Sequence, residues 1–202
     1  MSKISTIAAA LCVLGTMSFA QTTQTPPAEP EGEQAASPTE LDLGQPVDAA
    51  PALGERYSKA TYGDWEMACI KTDQETDPCS LLQIMEDEQG NPIAEMSLFR
   101  IANGGQAAAG ATIVVPLETL LPAQLTISVD GAAGKRYNYT FCSPLGCVAQ
   151  IGLTADDVNA FKRGNAATVS LVPAPAPDQK VSVSLSLKGF TAGYDAVDIV
   201  DN

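Results

Sequence analysis

Four cysteines fall in two close pairs, Cys69/Cys79 and Cys142/Cys147, in a chain that contains no histidine. Paired cysteines can exchange disulfides, ligate a metal or attack a substrate. Attack needs a thiolate, made by a neighbouring imidazole or a helix start. With no histidine, the commonest general base and the commonest metal ligand are both missing. Neither pair has the C-x-x-C spacing of redox motifs or zinc knuckles. These residue types point to covalent staples in an oxidising compartment rather than to reactive thiols. No catalytic, cofactor-binding or metal-binding residue is assigned, and no cofactor is expected.

Three further groups invite a chemical reading. Asp73, Glu75 and Asp77 mimic the first three ligands of a calcium loop, but Pro78 stands where glycine is needed and Ile84 where the bidentate carboxylate belongs. A solvated acidic loop fits better. Glu86-Asp87-Glu88 places acids next to one another, and along a strand neighbouring side chains point to opposite faces. Two of them converging on a glycosidic bond would need a fold to gather them. Tyr137, Tyr139 and Phe141 alternate and could stack on sugars or bases, although the same alternation makes a core face.

The elements that must position the cysteines are strands and turns. Cys69 closes one apolar strand candidate and Cys79 opens the next, so a hairpin would bring them side by side. Cys142 and Cys147 flank Ser-Pro-Leu-Gly, which is turn chemistry. Four cysteines allow three connectivities. Turn geometry favours the two local bridges, whereas loop entropy would reward a long-range link such as Cys69–Cys147 more.

Residues 1–20 read as a secretory signal, with Lys3 ahead of the apolar run Ile4–Met17 and a small-x-small site at Ser18-Phe19-Ala20. The fifth cysteine, Cys12, lies inside that run. No later stretch is long and apolar enough to span a membrane. Loss of Lys3 with the signal takes the 11 basic residues to 10 against 24 acidic ones, a net charge of −14. Such a surface repels phosphate backbones and anionic lipid, so nucleic acid is not an expected partner. Residues 21–60 hold six prolines and seven acidic residues, with no aromatic before Tyr57. That composition cannot bury enough apolar surface to order itself, so a disordered Pro/Glu-rich linker is expected.

From residue 61 to 202 the length suits one domain. Its patterning is mostly period two, clearest in Val181–Leu187, where Val181, Val183, Leu185 and Leu187 alternate with serines. Further strands are expected at Trp65–Ile70, Ser80–Met85, Ile93–Ile101, Thr112–Val115, Leu125–Val129, Lys135–Phe141, Val148–Leu153 and Ala167–Val172. Turn residues separate them. One helix is expected over Ala155–Arg163, capped by Thr154, boxed by Asp157 and stopped by Gly164. The fold class is all-β, an antiparallel sandwich or barrel with one short helix.

Six stretches, taken in order, resemble the invasion-associated locus B family of small exported proteins from Gram-negative bacteria. They are Trp65-Glu-Met-Ala-Cys69, Cys79-Ser-Leu-Leu-Gln83, Val115-Pro-Leu117, Val129-Asp130, Cys142 with Gly146-Cys147-Val-Ala149, and Leu185-Ser-Leu-Lys-Gly-Phe190. The likeness spans Tyr62 to Ala196. It implies an immunoglobulin-like sandwich, a periplasmic or cell-envelope location, an association with host-cell entry, and no enzymatic activity. Glu118 departs from the glycine expected after Val-Pro-Leu. Trp65 precedes Cys69, so the Cys…Trp…Cys order of antibody domains is absent and Trp65 is read as core.

Residues and resemblance together give a non-enzymatic, disulfide-stapled module acting by protein–protein contact with an envelope or host protein. A periplasmic small-ligand or carbohydrate-binding protein is the alternative. Val181–Leu187 and the tail Tyr194–Val200 are the expected edges for adding a partner strand.

Overall fold

The computed structural model describes residues 44, 46, 50–103 and 105–201; the expected signal and most of the expected linker lie outside them. Twelve strands build two sheets. They are β1 (Arg56–Tyr62), β2 (Trp65–Ile70), β3 (Cys79–Glu86), β4 (Pro92–Ala102), β5 (Ala109–Val115), β6 (Leu125–Val129), β7 (Lys135–Tyr137), β8 (Phe141–Ser143), β9 (Gly146–Leu153), β10 (Ala166–Leu171), β11 (Val181–Ser186) and β12 (Ile199–Asp201). Helix α1 spans Ala155–Arg163 and α2 spans Phe190–Ala196. The large sheet runs β1-β2-β3-β4-β5-β9-β8, with β12 beside β4; the small sheet runs β11-β10-β6-β7. Every pairing is antiparallel except β12 on β4.

The result is an all-β sandwich. Alternation places Met67, Leu81, Met96, Leu98 and Ile113 of the large sheet inside, together with Leu125, Val169, Val183 and Leu185 of the small one. Trp65 anchors this core as expected, with no exposed surface. Its ring meets Phe190 of α2 edge-on at 5.4 Å, and Phe190 meets Phe161 of α1 at 5.3 Å. Edge-on aromatic pairs of this kind add about 0.5–1.5 kcal/mol each beyond the area they bury.

Two further contacts fasten the layers. The buried Gln83 of β3 reaches Ser186 of β11: the Ser186 N–H donates to its Oε1 at 2.7 Å, and its Nε2 donates back to the Ser186 carbonyl at 3.1 Å. Trp65 Nε1 donates to the same carbonyl at 2.8 Å. Gly189, at φ +88°, lets the chain turn from β11 into α2; a side chain there would strike the Tyr62 carbonyl.

α1 forms as the sequence dictates. Thr154 Oγ1 accepts from the Asp157 N–H, Asp157 returns the bond to the Thr154 N–H, and Val158 and Phe161 face the core.

Four expectations change. The folded part begins before residue 61, because Arg56–Ala60 of the expected linker lies in β1, paired antiparallel with β2. Among the described residues there are two α-helices rather than one. Lys135–Phe141 is not one strand: β7 belongs to the small sheet and β8 to the large one, and 138–140 steps between them. The tail Tyr194–Val200 is not a free edge, since Tyr194 lies in α2 and β12 pairs with β4.

Candidate functional site

The cysteines are bonded Cys69–Cys79 and Cys142–Cys147. Each bridge joins residues that face one another across adjacent antiparallel strands, β2/β3 in the first case and β8/β9 in the second. Cys69, Cys79 and Cys147 are buried. As bridges they hold strands and offer no nucleophile.

The first bridge closes a loop whose acids are already engaged. Asp77 accepts from the Thr72 N–H at 2.8 Å, Thr72 Oγ1 at 3.0 Å, Tyr57 Oη at 2.8 Å and Lys71 Nζ at 3.2 Å. The Thr72 backbone bond, then Tyr57, hold its carboxyl far below the usual range. The same contact raises the Tyr57 phenol. Asp73 and Glu75 are exposed and do not converge with it. Among the described residues no cluster of three or more His, Cys, Asp or Glu side chains is arranged to hold a metal.

Asp87 is likewise committed to its turn. It accepts from the Gln89 and Asn91 N–H groups at 2.9 and 2.8 Å and from Asn91 Nδ2 at 2.9 Å. These bonds, the Asn91 side chain foremost, lower its pKa. Glu86 and Glu88 stay exposed on either side. Tyr137, Tyr139 and Phe141 do not share a face. Tyr137 and Tyr139 pack half-buried against the core, while Phe141 is 51% exposed on the large sheet. Burial pushes the Tyr139 phenol up to about 12, and its hydroxyl has no hydrogen-bond partner among the described residues. The alternation that reads as a platform is broken where the chain changes sheet.

Concave, apolar surface lies instead on the outer face of the large sheet. One hollow of ≈400 Å³ is lined by Ile70, Leu82, Ser97, Phe99 and Val200. A second, of ≈390 Å³, is lined by Ile84, Ile93, Val114, Pro116 and Leu145. Arg56 and Glu95 border both. Arg56 Nη1 lies 3.2 Å from each Glu95 carboxylate oxygen. Half-exposed pairs of this sort contribute only about 0.2–1 kcal/mol, so the guanidinium is held in place yet readily re-paired. Ile84 is 51% exposed and Leu145 90%. The Phe99 ring lies against Gly110 of β5, where an added side chain would meet it at 2.5 Å.

The family model of the invasion associated locus B (IalB) protein matches residues 65–198. The chain belongs to the invasion-associated locus B family. Two relatives named invasion protein B homologs, both from Brucella abortus (strain 2308 and biovar 1 strain 9-941), are each 29% identical over 145 residues. That stretch is 71% of this chain and 81% of each homolog. The crystal structure of invasion associated protein b from Bartonella henselae superposes with a TM-score of 0.55 at 22% identity, over 66% of this chain and 91% of that one. It shares the fold. The family's stretches Trp65–Cys69, Cys79–Gln83 and Gly146–Ala149 fall on β2, β3 and β9, the strands that carry the bridges and Gln83. The Arg56–Glu95 centre of the outer face escapes sequence reading, because its partners stand 39 residues apart and Arg56 lies in the expected linker.

Proposed function

We propose that this family member is an exported, non-enzymatic sandwich that works by protein–protein contact in the cell envelope, on a periplasmic or surface-facing side. The observation that carries the reading is the outer face of the large sheet, where two apolar hollows flank a half-exposed arginine. Interface centres of protein complexes are rich in arginine and aromatic side chains set among apolar neighbours. The two disulfides suit an oxidising compartment. The Brucella relatives are named for invasion, and a host or envelope protein is the corresponding partner here. A sugar-binding reading loses its support once Tyr137 and Tyr139 turn inward.

The test places a photo-crosslinking residue at Ile84 or Ile70 in cells that make the protein, with Thr168 on the exposed side of the small sheet as control. One saturable adduct from the outer face, absent from Thr168, is the expected result. Equal labelling from all three positions would refute the reading.

A further inference from the structure

An edge strand with unpaired backbone groups invites another chain, and folded proteins blunt such edges with charge, proline, bulges or brevity. Most edges here are blunted. β1 carries a bulge between Ser58 and Ala60, together with Arg56 and Lys59. β7 has three residues, two of them basic. β8 has three and is tied by its disulfide; β12 has three and ends in Asp201. β11 has none of these guards. It runs six residues, Val-Ser-Val-Ser-Leu-Ser, without charge, proline or bulge.

The hydrogen-bond parity shows which of its groups are free. The Leu187 N–H donates to the Asn165 carbonyl, and the register continues as Leu185↔Ala167, Val183↔Val169 and Val181↔Leu171. Antiparallel pairs that exchange bonds alternate with pairs that do not. The odd residues of β11 therefore bond to β10, and the even ones turn their N–H and C=O outward. β10 agrees, since its Ala166 carbonyl serves Asp130 on the other side. So does Ser186, whose outward N–H and C=O are taken by Gln83 and Trp65. Ser182 and Ser184 have no such cap. Their outward groups open onto a groove of ≈560 Å³ whose far wall is Glu86, Asp87, Glu88 and Gln89.

We propose that β11 accepts an extended basic peptide segment as an added strand, its backbone bonding to Ser182 and Ser184 and its cationic side chains meeting Glu86 and Glu88. This surface is separate from the outer face of the large sheet. Charge selects the occupant. Asp87 is spent on its turn, whereas Glu86 and Glu88 are exposed and form no ion pair among the described residues. A second copy docking by the same edge would bring its own Glu86 and Glu88 against these, on a chain of net charge −13. A basic strand removes that repulsion.

The test is amide hydrogen exchange on the full chain, titrated with a lysine–valine alternating hexapeptide or its glutamate–valine counterpart. Exchange at Ser182 and Ser184 should be fast in the isolated protein and slow by about tenfold or more with the basic peptide only. Ser184→Pro removes an outward donor without touching the β10 ladder, a place where edge strands accept proline, and should abolish protection. The double charge reversal Glu86→Lys/Glu88→Lys should transfer it to the acidic peptide. Equal response to both peptides, or none, overturns the proposal. Protection that rises with the protein's own concentration overturns it in favour of a second copy.

Discussion

Asp77 shows how a residue that resembles a ligand can be a fastening instead. Its two oxygens gather Thr72, Tyr57 and Lys71, binding β1 and the loop 71–78 to the Cys69–Cys79 bridge. Those bonds favour the charged form and depress its pKa in the folded state. The stabilisation is therefore complete above the ordinary carboxylate pKa of about 3.9 and is lost as pH falls below it toward the depressed value. Urea midpoints measured downward from neutral pH should drop in acid for wild type. Asp77→Asn should be less stable at neutral pH and flatter across that acid range; a parallel acid drop in both would contradict it. In the sequence Asp77 looks like one of three equivalent acids. Nothing there reveals that Tyr57, 20 residues earlier, takes one of its oxygens.

At the scale of elements, legibility follows from how local the determinants are. β2, β6 and α1 have the bounds their patterns predict, because each has a clean period and its own stop signals. The capping box of α1 is self-contained, and Thr154→Ala should cost about 1 kcal/mol in a urea titration; a change near zero would mean that tertiary packing alone holds the helix. α2 is hidden by Gly193 at its centre, a poor helix former that is needed because a side chain there would meet Leu81 at 2.5 Å. β1 is hidden by its surroundings: only Tyr57, Ala60 and Tyr62 are half-buried along it, and it follows a proline-rich run. β7 and β8 are fused in the sequence because the alternation of Tyr137, Tyr139 and Phe141 persists through the crossing. Periodicity reports which side a residue faces; it is silent on the sheet to which the strand belongs.

For the whole molecule, the sulfur bridges close short loops, separated by 10 and 5 residues. The chain-entropy model gives each about 2–3 kcal/mol, with the longer loop the larger. Replacing Cys69 and Cys79 together by alanine should therefore lower stability more than replacing Cys142 and Cys147, the more so because Cys69 and Cys79 are both buried whereas Cys142 is exposed. Thermal melts of the two double variants decide this, and an equal or reversed order would assign the stabilisation elsewhere. The paired cysteines were readable because their turns are local, whereas the nine expected strands are twelve, β1 and β12 being added and Lys135–Phe141 divided between two sheets. The outer face was not readable, since its walls are drawn from β1 to β5, β12 and the turn at Leu145, and only the assembled sheet makes them neighbours.

The clasp between the layers has a further implication for how the sandwich answers acid and salt. Gln83, the Trp65 indole and the Ser186 peptide group are all neutral. Neither mild acid nor brine can discharge or screen such a joint, whereas a carboxylate–ammonium latch would slacken in both. Transfer from a dilute, neutral medium to an acidic or salty one should thus leave the two layers shut, with any adjustment confined to the rim.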